Sequence, residues 1–259
     1  MSSLVKNVGT IGGLTAVSRV FGFARDMITA RVLGAGLAAD AWQLAFILPN
    51  TFRRLFAEGA FSVAFVPMYS RALHGAREQG GGEEAADRFA GDVLSVFVWV
   101  LLGFSALAML AMPGIVWLLA REYQAVPGKF ELAVSLSRIT FPYLMLVSLV
   151  AMLSGLLNAR SRFAPGAFVP VLLNVVLILG ILAGYTLREH WGGSDVTVAY
   201  AQSIALAFAG VAQLAYMWWA KRRAGVRLKI TLPRFTPEVK RLCLLMLPAT
   251  FGAGVYQIS

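Results

Sequence analysis

Charge is what this sequence has least of. Only 14% of its 259 residues are Asp, Glu, Lys or Arg, where a soluble domain carries about a quarter. So few charges cannot coat a globule of this length, which excludes an ordinary water-soluble domain. The single cysteine, Cys243, permits no internal disulfide, so cysteine usage says nothing about compartment. The two histidines, His74 and His190, stand far apart and offer no metal constellation. There is no Gly-rich phosphate loop with its Lys, no His-Glu-x-x-His and no nucleophile elbow. An enzyme is therefore not expected, and no metal or cofactor is implied.

What the chain does have is apolar mass: 58% hydrophobic residues and a mean hydropathy of +0.71. The expected fold class is an all-α polytopic membrane protein. A net charge of +10 could suggest nucleic acid, but in a membrane chain basic cytoplasmic loops account for it better. A spanning helix needs about 20 mostly apolar residues. Seven segments meet that standard: Val8–Leu33, Ala41–Met68, Val93–Ala120, Leu132–Leu157, Phe168–Tyr185, Val196–Ala220 and Leu242–Ser259. The first is no cleavable signal peptide, since it lacks a compact apolar centre and contains Arg19 and Arg25.

Lys and Arg are distributed unevenly between alternate loops. One side holds 14 of them, eight in Lys221–Arg241 alone, and the other holds three, Arg121, Lys129 and Arg188. The bias predicts a cytoplasmic N-terminus. Residues 1–220 are expected to form a six-helix lobe and 221–241 a basic cytoplasmic linker. Residues 242–259 would begin a seventh helix, cut short, as in a fragment of a longer transporter. Gly9/Gly13 and Gly180/Gly184 are small-xxx-small pairs suited to close helix approach. Pro49, Pro113, Pro142, Pro170 and Pro248 fall within segments and should kink them where neighbours satisfy the freed carbonyls.

Against this background Ser18–Pro67 stands out, with Arg19, Arg25, Asp26, Arg31, Asp40, Arg53, Arg54 and Glu58. Near the bilayer centre Arg19, Arg25 and Asp26 cost roughly 7.5–10 kcal/mol together, while nine Leu, Ile, Val and Phe between Val8 and Val32 return roughly 3–5. The first helix should therefore face other helices or a water-filled cavity rather than lipid. Ser18, Gly22 and Arg25 share one helix face by their i, i+4, i+7 spacing, with Arg19 and Asp26 on a neighbouring face. Arg19 and Arg53 each lie about 20 Å into their segments, from opposite ends. Positive charge is in excess, and guanidinium suits phosphate and carboxylate because its planar fork donates paired hydrogen bonds and stays charged when desolvated. The reading is an anion site, with phosphate or pyrophosphate the natural ligand.

Blander roles are weighed beside this one. Asp26 serves equally well as a helix-locking partner. Asp40 and Glu58, near segment ends, suit pairing, capping or gating, and Arg54 can snorkel. Ser18 and Asn50 suit helix-packing hydrogen bonds, as do Asn158, Asn174, Gln202 and Gln213. The linker charges read as solvated, with a smaller claim to contact with anionic lipid heads.

The stretches SRVFGFARD, GAGLAADAW, LPNTFRRLFAEGAFSVAFVP, ITFPYL and FAPGAFVPVLLN closely resemble the MurJ (MviN) family of bacterial lipid II flippases. The resemblance implies the multidrug/oligosaccharidyl-lipid/polysaccharide exporter fold, with two six-helix lobes around a central cavity. This chain would supply the first lobe and the start of helix seven. By motif position the family's cavity arginines fall on Arg19, Arg25 and Arg53, with Ser18, Asp26 and Asp40 as further cavity or gate positions. The family's arginine of helix eight and its sodium site in the second lobe have no counterpart here. The resemblance implies flipping of lipid II across the inner membrane by alternating access, by a monomer driven by a coupling ion or the membrane potential. The alternative is an ion-coupled exporter of small molecules or of another lipid-linked oligosaccharide. A multidrug exporter of that kind would favour acidic cavity residues over arginines. A membrane protein whose Arg–Asp pairs only fix helices is the third reading.

Overall fold

The computed structural model describes residues 2–53, 62–75, 82–190 and 194–246, and everything regular among them is helical. In chain order the helices are α1 (Ser2–Leu33), α2 (Leu37–Arg53), α3 (Ser62–His74), α4 (Glu83–Leu110), α5 (Met112–Leu119), a 3-10 turn (Arg121–Ala125), α6 (Lys129–Thr140), α7 (Pro142–Ala159), α8 (Ala164–His190) and α9 (Asp195–Arg223). Residues 237–246 begin a further helix. Arg54, Glu58, Pro248 and the rest of the seventh segment lie outside the described residues. Helices α4, α8 and α9, and the α6–α7 pair, are long and apolar enough to cross a membrane. Helix α1, with its five charged residues, is not among them.

Two expected spans are broken rather than continuous, and proline explains both. Pro113 and Pro142 fall in the first turns of α5 and α7, where a missing N–H costs nothing. The expected kinks at these two residues are therefore helix starts. Pro113 cannot bond the carbonyl four residues back, and Arg138 Nε donates to that oxygen, Met109 O, at 3.1 Å. Pro49 stays inside α2 and frees Ala45 O; Thr140 Oγ1 donates to it at 2.7 Å. In both cases a neighbouring helix supplies the lost bond, as burial in an apolar medium requires.

The chain clusters into two compact units, each discontinuous in sequence. The first comprises residues 1–50, 104–146 and 167–213. Its α8–α9 contact is set by glycine: a Cβ on Gly180 would lie 2.3 Å from Ala205 Cβ, and one on Gly184 2.8 Å from Ala201 Cβ. Gly9 and Gly13, expected to act likewise, have nothing within 4 Å of that position and mediate no close approach among the described residues. Gly34, at a φ of +59°, closes α1 by donating to Ala30 O, a backbone geometry that glycine adopts without strain. The second unit comprises residues 51–103, 147–166 and 214–259. Its core includes the stacked rings of Phe65, Tyr69 and Phe89 and buried leucines of α7 such as Leu153, Leu156 and Leu157.

Candidate functional site

Helix α1 turns one stripe with polar groups inward. Ser18, Gly22, Arg25 and Thr29 are partly covered and Leu33 is buried, whereas Arg19, Val20, Phe23, Asp26, Met27 and Ala30 are exposed. The covered stripe follows the seven-residue rise of one helix face, and Ser18, Gly22 and Arg25 do share it. Helices α8 and α9 supply the complementary groups. Asn174 of α8, 6% exposed, touches all three: its Nδ2 donates to Ser18 O at 3.0 Å, its Oδ1 accepts from Arg25 Nη1 at 2.9 Å, and its amide packs over Gly22. One turn on, Thr29 Oγ1 donates to Arg25 O and accepts from Gln202 Nε2 of α9. Ser18 thus contributes its backbone carbonyl rather than its hydroxyl.

Arg25 is held on three sides. Beyond Asn174, its Nε and Nη2 both donate to Asp26 Oδ1, at 3.0 and 2.7 Å, and its guanidinium lies 5.2 Å from the centroid of the Phe46 ring. A guanidinium carries five N–H donors, and three are used. The side chain is 17% exposed and that of Asp26 67%. One turn and a half away, Arg19 is exposed and has no hydrogen-bond or ion-pair partner among the described residues. The result is a mostly covered cation with spare donors, and six residues earlier, on a neighbouring face, a second cation that is exposed and without a partner among the described residues. Such a pair can accept a multivalent oxyanion through charge-assisted bonds.

The other expected site residues are placed elsewhere. Asp40, near the start of α2, receives the ammonium of Lys129 at the start of α6, and Tyr123 Oη donates to Asp40 O at 3.2 Å. Burial pushes the Tyr123 phenol above its ordinary pKa, so it remains a donor at neutral pH. Asn50 Nδ2 donates to Phe46 O of its own helix at 2.8 Å. Arg53 belongs to the second unit, and Arg54 and Glu58 lie outside the described residues.

The second unit contains a charged cluster that sequence reading missed. Arg160, in the turn after α7, donates through Nε to Tyr69 Oη and through Nη2 to Asp87 Oδ1, both at 2.8 Å, and Glu83 lies 3.9 Å away. The other carboxylate oxygen of Asp87 accepts Arg227 N at 2.7 Å. In the sequence Asp87 is one of five charged residues among the first ten of α4, and nothing in that run singles it out.

Comparison with known proteins agrees with the motifs. A family model described as the lipid II flippase MurJ matches residues 29–259. The chain is 43% identical over 258 residues to the probable lipid II flippase MurJ of Rhizobium tropici, covering 99% of this chain and 47% of the relative. It is 44% identical over 259 residues to that of Rhizobium meliloti (strain 1021), again over 99% of this chain and 46% of the relative. It therefore spans about half the length of the curated relatives it matches. A solved lipid II flippase MurJ in an inward closed conformation is similar with a TM-score of 0.68 and 24% identity, over 96% of this chain and 48% of that one. An outward-facing multidrug transporter of the MATE family gives 0.66 at 17% identity, over 98% of this chain and 54% of that one. Both likenesses concern the fold. With the family model matching residues 29–259 and relatives aligned over 99% of this chain, this chain belongs to the lipid II flippase MurJ family.

Proposed function

We propose that this chain is the N-terminal part of a flippase that moves lipid II across the bacterial inner membrane, with the α1 arginines binding the pyrophosphate of the head group. The chain acts as a multi-pass protein with a cytoplasmic N-terminus, residues 1–220 forming its first lobe. The observation that carries the reading is the pre-set Arg25, with Arg19 on the same helix exposed and without a partner among the described residues. Arg25 has already paid its ordering entropy through Asn174, Asp26 and Phe46, so an incoming phosphate finds its donors aimed. Asp26 tunes the excess charge and holds the fork when the ligand leaves. Arg53 and Ser18 are assigned to substrate binding on their motif positions alone. Asp40 with Lys129 acts as a gate or pairing element, as do Asn50, Arg54 and Glu58.

The mechanism is alternating access: pyrophosphate and sugars enter the cationic cavity while the polyprenyl tail stays in lipid. Moving unit charge through the field is worth about 2.3 kcal/mol per 100 mV, so the membrane potential can bias the return of an empty cationic cavity. The test replaces Arg25 or Arg53 by Ala in the full-length protein and measures rescue of a strain depleted of its own flippase. Loss of rescue at normal membrane levels is the expected result. Normal growth with both variants would remove the pyrophosphate site.

A further inference from the structure

After α9 the chain returns as an extended strap along α4. Arg227 N reaches Asp87 Oδ2 at 2.7 Å, Lys229 O packs against Gly91, and Thr231 N reaches Ser95 Oγ at 3.0 Å. The register is physical: two extended residues advance about 6.6 Å and four helical residues about 6 Å, so every second strap residue meets every fourth residue of α4. Val226 and Leu228 turn inward and are buried, while Arg227 and Lys229 are exposed. Gly91 lets the strap lie close, since a Cβ there would approach Lys229 O to 3.0 Å and the strap would have to give by a few tenths of an ångström.

The strap does not remain among polar residues. It starts beside Asp87 and ends beside Ser95, beyond Asp92, the last charge on α4, where the helix becomes its uncharged run from Val93 to Leu110. At that level Ile230 and Leu232 are 58% and 76% exposed, and Phe235 just beyond is 59% exposed. Cations flank them: Lys229 and Arg234 within the strap, Lys240 and Arg241 after it, with Glu238 the single acid between Lys221 and Arg241. At the end of α9, where the strap begins beside Asp87, Lys221 and Arg223 lie over the rings of Trp218 and Trp219, and Trp and basic residues of this kind are enriched near a membrane–water interface.

The geometry points to residues 229–235 as an interfacial membrane anchor that recognises anionic phospholipid. Ile230, Leu232 and Phe235 enter the boundary between head groups and acyl chains. Lys229 and Arg234, which line one cleft with Glu84 and Asp92 of α4, supply the cations for phosphate head groups, their stems lying along the apolar side chains. The zipper to α4 fixes the depth, so the anchor ties the linker to the bilayer surface and not merely to the protein. The site is independent of the α1 arginines.

The test uses the intact protein in nanodiscs, with Cys243→Ser and Leu232→Cys and a nitroxide on the new thiol. Its accessibility to oxygen and to a water-soluble nickel chelate is compared in phosphatidylcholine alone and with 30% phosphatidylglycerol, an anionic fraction chosen for about the charge of a cytoplasmic leaflet. The label should be lipid-exposed in the anionic discs. Lys229→Gln with Arg234→Gln should lower its lipid-to-water ratio about thirty-fold there. Ile230→Ser with Phe235→Ser should move it into water. Equal lipid exposure with and without phosphatidylglycerol would overturn recognition of anionic lipid. A water-exposed label in both discs would overturn the anchor.

Discussion

Arg25 and Arg160 are both mostly covered arginines paired to aspartate, yet their surroundings differ in kind. Arg160 and Asp87 are each 10% exposed, and Tyr69, Glu83 and Arg227 N complete a closed set in which both oxygens of Asp87 are used. Arg25 leans on a carboxylate that is two-thirds in the open, and Arg19 beside it has no partner among the described residues. A closed network holds helices and has nothing left to offer a ligand. An open one costs stability unless something fills it, and that cost is reasonable only where a ligand comes.

The difference can be broken by mutation, and the largest effect should lie in the closed network. Arg160→Ala leaves the Asp87 carboxylate buried without its counter-charge, a loss of about 3–5 kcal/mol. Thermal unfolding of the purified full-length protein should show a clear drop in midpoint, whereas Arg25→Ala, which leaves one oxygen of the Asn174 amide without its donor, should lower it by a smaller step of about 1–2 kcal/mol. Equal drops would erase the distinction. Next is Gly180→Leu: with Ala205 Cβ so near, overpacking should cost about 1–3 kcal/mol. Gly9→Leu should cost far less by the same assay, since no atom of the described residues lies within 4 Å of its Cβ position.

Smaller effects sharpen the open side. Asn174→Leu removes the bonds to Arg25 Nη1 and Ser18 O, a stability change of about 1–2 kcal/mol. Flipping should fall more than stability does, because Arg25 is released from its pose. If activity and midpoint fall only in proportion, Asn174 is mere packing. Smallest is Lys129→Gln: its partner Asp40 is 47% exposed, so less than about 1 kcal/mol should be lost.

The sequence made some of this legible and hid the rest for physical reasons. Apolar length and the cost of Arg19, Arg25 and Asp26 set the fold class and singled out α1, and a seven-residue period put Ser18, Gly22 and Arg25 on one face. Asn174 looked like any lone amide in an apolar helix. Its role depends on a partner 149 residues away, and no spacing rule reports that. Arg160, Asp87 and Arg227 were counted as loop charges or passed over because the fold alone brings them together. Pro113 and Pro142 looked like kinks, since proline at a helix start and proline within a helix differ only in what precedes them. The prolines and their rescuers, Thr140 and Arg138, likewise meet only across helices.

The most direct measurement is lipid II affinity of the full-length protein by native mass spectrometry, comparing wild type with Arg19→Ala and Arg25→Ala at matched thermal midpoints. A charge-assisted bond to pyrophosphate is worth about 1.5–3 kcal/mol, so each substitution should weaken binding roughly ten- to a hundred-fold. Unchanged affinity in both variants would contradict the assignment of α1 as the anion-binding helix.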